Sequence, residues 1–252
     1  MSAFEEFEKD LTRAALDLIA AAPPNDHAVV RYSIGRYLGI PDKSPPPEAR
    51  ELSPREKFIE QLFFAFVEIL NSVESLRNVS IYIRRFPHRR AGVEKTAYLR
   101  YHVENYLSEL YILKNRMKAF LTIISRRYRS DPHGNQITHA SKQISEHFDK
   151  AFASVVLTRG AHVHERRFDD FDLSRLTLFR IISSETDAGA AEYQEVYRQV
   201  RRTKRLWIET TNRSVEQLLD AYFNTLKTLV FDDNGNLRIP NELPNKTSQP
   251  TA

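Results

Sequence analysis

From Tyr193 to Leu229 the apolar residues return at helical or heptad spacing: Tyr193, Val196, Tyr197, Val200, Trp207, Leu218, Tyr222, Leu226 and Leu229. A stripe of that length is satisfied by a long amphipathic helix whose apolar side other helices cover. It predicts a helix over about 190–231, ended by Asp232, Asp233, Asn234 and Gly235. Only seven glycines occur in 252 residues, and no segment alternates like a half-buried strand between hairpin turns. The spacing therefore points to an all-α chain.

The other helices follow from the same reasoning. Phe4, Phe7, Leu11, Ala14, Ala15 and Leu18 keep helical spacing and stop before Pro23-Pro24. Seven of the twelve prolines lie from Pro23 to Pro54, which predicts an irregular arm with a short helix near Tyr32 to Leu38. Ser53 is an N-cap in pattern, with Pro54 next and Glu56 three residues on. Phe58, Leu62, Ala65, Ile69, Val73 and Leu76 then mark a long helix ending before Pro87.

A second long helix is expected over about 93–128, with Ala97, Tyr101, Tyr111, Leu121 and Ile124 facing inward and Leu107, Leu110 and Met117 widening the stripe. A third starts near Gln136 and carries Ile144, Phe148, Phe152, Val155 and Val156 towards Arg159, while Leu173 to Ile182 fits a helix or a strand. The expected organisation is an N-terminal helix and arm over 1–54, a bundle of long antiparallel helices over 55–232, and a disordered tail over 233–252.

Composition narrows the function classes. Forty-one per cent hydrophobic and 28 per cent charged residues describe an ordinary folded chain, and no apolar run is long enough to cross a bilayer. The N-terminal Met1 to Glu6 is acidic, unlike a signal peptide, so a cytoplasmic location is expected. With no cysteine, disulfides, thiol nucleophiles and thiolate metal sites are excluded. Gly-rich phosphate loops, His-Glu-x-x-His helices and Gly-x-Ser-x-Gly elbows are also missing.

The net charge of +4 is modest, yet basic residues cluster at Arg84-Arg85, Arg89-Arg90, Arg126-Arg127 with Arg129, Arg166-Arg167, and Arg201-Arg202 with Lys204-Arg205. Such groups hold nucleic-acid phosphates or form solvated helix faces balanced by acids. Arg166, Arg167, Arg126 and Arg127 are the candidate RNA contacts.

Arg separated from His by four to six intervening residues occurs three times: Arg159 to His164, and Arg126 and Arg127 to His133. The latter two run into the turn-forming stretch Ser130 to Asn135. Only Arg159-Gly160-Ala161-His162-Val163-His164-Glu165 follows a strongly apolar segment, Phe152 to Leu157. RNA cleaves itself when a 2′-hydroxyl is deprotonated and attacks the adjacent phosphate, which needs a base and charge stabilisation but no metal. His164 can carry the proton and Arg159 can meet the phosphate oxygens. On a regular helix they stand ~140° apart, and Gly160 offers the kink that would bring them together.

Two other readings of these residues stay open. His162 and His164, alternating with Glu165 or Asp169 nearby, could hold a metal from an extended segment, although no further ligand sits at a known spacing. Alternatively Arg159 is a structural cation paired with a carboxylate, for which Glu104 is the candidate.

Tyr98-Leu99-Arg100-Tyr101-His102-Val103-Glu104-Asn105-Tyr106-Leu107 on one long helix, with the Arg159 to Glu165 segment closing another, resembles the HEPN superfamily. The likeness spans roughly 55–231 in topology, and its specific motif is the Arg159–His164 segment. It implies a HEPN-like helical bundle and a metal-independent endoribonuclease, of the kind found in toxin and antiviral-defence systems, or a non-catalytic relative binding RNA, nucleotide or protein. It places catalysis on Arg159 and His164, with Glu104, His162 and Glu165 in support, and no metal or cofactor. RNA, a second copy of the chain and a cognate inhibitor protein are the implied partners, with Val200 and Trp207 the surface for dimerisation if the bundle leaves it free. The family's pattern sets Asn, Asp or His after the arginine, where this chain has Gly160.

Overall fold

The computed structural model describes residues 1–37, 47–85, 92–153, 155–156, 170–183 and 187–240. Among them the chain is helical: α1 (Ala3–Ala20), α2 (Pro24–Tyr37), α3 (Pro54–Arg84), α4 (Lys95–Arg127), α5 (Gly134–Ala151), α6 (Phe171–Ser183) and α7 (Asp187–Val230). The β contact among the described residues is one isolated bridge between Phe231 and Leu237. The stretch from Leu173 to Ile182, ambiguous by pattern, is helical and forms most of α6. No described helix is long and apolar enough to cross a membrane.

Ser53 starts α3 as its spacing predicts. Its hydroxyl accepts from the Glu56 N–H at 3.3 Å, and its own N–H donates to the Glu56 carboxylate at 2.7 Å. Arg50 adds a bidentate grip on Glu56 and reaches Asp26 of α2 at 2.8 Å. The Arg50 guanidinium, followed by the Ser53 bonds, holds the Glu56 carboxyl at about 2. The short helix expected near Tyr32 to Leu38 is present but longer, so the arm is helical rather than irregular from Pro24 onward to Tyr37. α2 begins at Pro24, where a missing N–H is harmless because first-turn N–H groups have no helical acceptor. It packs on no other helix among the described residues and is tethered through Asp26 and Asn25.

The stripe on α4 also differs from expectation. Leu99, Val103, Tyr106, Leu110, Leu113, Met117, Phe120 and Ile124 are buried, a regular heptad-like series. Tyr101 is 63% exposed and Ala97 is exposed, so the first turns were read on the wrong side. Aromatic residues caused the error, because a tyrosine serves as well at a surface as in a core.

Side-chain pairs fix the helix directions. Phe58 meets Tyr128 and Phe66 meets Phe120, so α3 and α4 are antiparallel. Thr96 meets Tyr193, Tyr106 meets Asn212, and the Tyr222 hydroxyl donates to the Met117 carbonyl. α7 is therefore parallel to α4, a correction to a wholly antiparallel bundle. The cause is the return path through α5 and α6. Lys118 bonds Asp149, and Arg100 donates to the Leu173 carbonyl and the Thr177 hydroxyl, so both helices run back along α4. With 18 and 13 residues they span about 27 and 20 Å, close to the roughly 50 Å of the 33-residue α4.

Phe7 of α1, Phe66 of α3, Phe120 of α4, Phe223 of α7 and Phe231 form the aromatic centre at one end, with Phe7 and Phe223 ring centroids 4.7 Å apart. α1 thereby belongs to the same core as α3 and α7. Beyond α7, Asp232 accepts from the N–H groups of Asn234 and Asn236 at 2.9 and 2.8 Å. Gly235 takes φ +73° in that turn, and its carbonyl accepts from Arg13. Of the expected disordered tail over 233–252, residues 233–240 fold back on the bundle, with the Arg238 N–H donating to the Val230 carbonyl at 2.8 Å and Leu237 and Ile239 packed against the core, while 241–252 lie outside the described residues.

On α7, Val200 is buried in the core with Tyr193, Val196 and Tyr197. The expected dimer surface is thus partly consumed internally. Trp207, a heptad away, is 39% exposed, with Ile208 fully buried beside it.

Candidate functional site

Arg159, His162, His164, Glu165, Arg166 and Arg167 lie outside the described residues, as does Asp169 of the metal alternative. What is described is how the segment carrying them is held at each end. α5 ends at Ala151, earlier than a single helix running towards Arg159 would. Phe152 is buried, and Val155 packs against the core. At the other end Asp170 caps α6, accepting from the Leu173 N–H at 3.0 Å. The second Asp170 oxygen takes the Lys204 ammonium at 2.7 Å, and Asp172 adds to it at 3.0 Å. Residues 157–169 therefore join two helices that lie end to end along α4 and α7.

The junction's surroundings come from three helices. Phe152 and Val155 line a groove with Leu110 of α4 and Trp207 of α7, whereas Leu173 meets Arg100 of α4. Glu104 stands between those two anchor points on α4, one turn beyond Arg100 and on its side of the helix. Its side chain is half-buried and its Oε1 is shielded from solvent, so the carboxylate is partly buried as expected. The face differs from the expected one at Tyr101, which is exposed, while Ser108 and Tyr111 are half-buried.

The groove at the α5 end of the junction measures about 470 Å³. Trp207, held edge-on by the Tyr106 ring with centroids 5.4 Å apart, forms one wall, and His147 lies on the other side. The Thr211 hydroxyl in that groove donates to the Trp207 carbonyl at 2.9 Å. His147 does not stand out in the sequence, and Trp207 is expected at a dimer surface rather than in a groove, because a tryptophan in an apolar stripe reads as a packing residue.

The α6 end rests on a polar network. The Glu94 carboxylate caps α4 through the N–H groups of Thr96 and Ala97, both at 2.7 Å, and accepts from the Tyr193 hydroxyl at 3.0 Å. Burial pushes the Glu94 carboxyl up, but these donors outweigh it and hold the group below its usual value. Burial, joined by the neighbouring carboxylate, pushes the Tyr193 hydroxyl up to about 12. Arg180 of α6 approaches the same carboxylate at 3.6 Å. This network fixes α4, α6 and α7 together without offering a reactive group.

The basic clusters divide. Lys204 is consumed by Asp170 and Asp172, Arg205 pairs with Glu209 at 3.3 Å, and Arg201 lies over the Tyr197 ring at 5.6 Å. Arg126 and Arg127 are exposed but stand about 33 Å along α4 from Glu104. They also diverge: Arg127 donates to Gln61 of α3 at 3.3 Å, whereas Arg126 lines a separate groove between α4 and α5. Those arginines and the motif's anchors are therefore at different places on the bundle.

No family model matches the chain, and no curated protein or solved structure matches it.

Proposed function

We propose that the protein is a HEPN-like, metal-independent endoribonuclease, with His164 moving the proton and Arg159 stabilising the phosphate. The observation that carries this reading is the fixed placement of the segment's two ends on either side of Glu104, beside the Trp207 groove. A partly buried carboxylate there is suited to orienting an arginine, and a half-exposed tryptophan is suited to stacking an unpaired base. His162 and Glu165 would support the pair, and Arg166 and Arg167 would hold the flanking backbone. A two-fold dimer would set two such pairs around one cleft, and a toxin or defence role would bring a cognate inhibitor.

The test is incubation of the purified protein with labelled RNA in EDTA. Products are expected to carry 2′,3′-cyclic phosphate ends. Arg159→Ala and His164→Ala are each expected to lower the rate by ~10²–10⁴-fold with helicity unchanged. Cleavage abolished by the chelator, or unaffected by both substitutions, would sink the proposal. Light scattering on active protein tests the shared cleft, since a cleaving monomer removes it.

A second reading is favoured by Gly160, which replaces the polar residue that the family pattern sets after the arginine. Under it the chain is an RNA-binding helical module without cleavage. Intact RNA retained by the protein at low salt, with no cyclic phosphate formed, would select it.

A further inference from the structure

We propose that the groove between the last third of α4 and α5 holds the phosphate backbone of a single RNA strand. The choice of RNA rests on the reading above, while the groove is separate from the α5–α6 junction.

Lys118 and Arg126 of α4, Arg129 of the turn after it and Lys142 of α5 line this groove of about 470 Å³, and no carboxylate lines it. Lys118, at one end, is shared with Asp149 at 2.9 Å. Arg126, Arg129 and Lys142 are exposed and, among the described residues, paired with no carboxylate. An ordinary solvated face mixes both signs of charge, and this one does not.

The hydroxyls supply a second, independent observation. Ser125 of α4 and Ser141 and Ser145 of α5 line the two walls. Ser141 is only 7% exposed, and its Oγ is shielded with no hydrogen-bond partner. Buried hydroxyls are ordinarily satisfied, so an unpartnered one in a cationic groove points to an acceptor that arrives from outside. A phosphate oxygen is such an acceptor, and the cations neutralise its charge.

Dimensions select the strand. Lys118, Ser125 and Arg126 share one side of α4, with Arg129 in the turn just beyond it, and the helix rises about 12 Å from Lys118 to Arg126, matching about four nucleotides stacked at ~3.4 Å. A single strand brings one row of phosphates to this one line of cations, the arrangement by which a basic groove tracks a nucleic-acid backbone. No aromatic ring lines the groove, and it therefore holds backbone without reading bases.

Fluorescence anisotropy with a labelled 2′-O-methyl RNA of about ten nucleotides tests this, because its blocked hydroxyl prevents self-cleavage. The Arg126→Glu/Lys142→Glu variant is expected to bind at least tenfold more weakly and to reduce the salt slope by about two, one for each lost phosphate contact. Ser141→Ala is expected to weaken binding about fivefold, as for one hydrogen bond, without lowering the unfolding midpoint. An equal loss from Arg84→Glu/Arg85→Glu would reduce the effect to net charge and overturn the proposal. Competition by polyglutamate as strong as by RNA would overturn it in favour of an acidic protein partner. Cleavage that needs His164 alongside unchanged binding by the groove variants defeats the groove alone. Groove-dependent binding without any cleavage defeats only the ribonuclease reading.

Discussion

His102 lies on α4 among three tyrosine rings, with centroids 5.5, 4.3 and 5.2 Å from those of Tyr82, Tyr98 and Tyr101. Its Nδ1 is shielded and has no hydrogen-bond partner. Burial pushes its pKa down, because the rings solvate an imidazolium poorly. The unfolded chain takes a proton below about 6.5 while the folded one resists it. This contribution to stability is therefore present above that pH and is lost as pH falls towards the lower folded value. His102→Phe keeps a ring in place and removes the titration. Urea midpoints at pH 7.5 and 5.5 should fall less for the variant than for the parent protein. Equal falls would show that the histidine is indifferent to folding.

Among the elements, the α4–α5 connection has a defined steric requirement. The Gly134 N–H donates to the Asp131 carbonyl at 2.8 Å, and a Cβ at Gly134 would lie 2.3 Å from the Tyr128 carbonyl oxygen. Helix propensity alone favours alanine there by ~1 kcal/mol, whereas overpacking typically costs ~1–3 kcal/mol. The obstruction is backbone, which cannot rotate away as a side chain does, so the clash wins. Gly134→Ala should lower the denaturation midpoint, and an increase would show that the turn opens freely. This turn was legible as Ser130 to Asn135, and α3 was legible from its Ser53 cap, because short-range chemistry fixes both. The inward face of α4 was less legible near Tyr101, where tyrosines are compatible with either side of the helix.

At the scale of the molecule, the helices were readable but their placement was not. Periodicity shows which residues need covering and leaves open which helix covers them. The parallel course of α4 and α7 depends on α5 and α6 lying end to end, and so does the position of the motif's anchors beside Glu104. Arg126 and Arg127 looked like companions of the motif because sequence distance hides the roughly 33 Å of helix between them and Glu104. The N-terminus gives the sharpest whole-molecule test. Phe7 is fully buried and touches Phe66, Phe120, Phe223 and Phe231, while Lys227 of α7 bonds Glu6 at 2.7 Å. Truncating such a phenylalanine costs ~3–5 kcal/mol, a large part of the ~5–15 kcal/mol that holds a domain together. Phe7→Ala should therefore lower the melting temperature of the entire bundle by roughly 10 °C in one transition. If α1 were instead an appendage to a bundle that begins at α3, circular dichroism would show early loss of one short helix and an unchanged main melt.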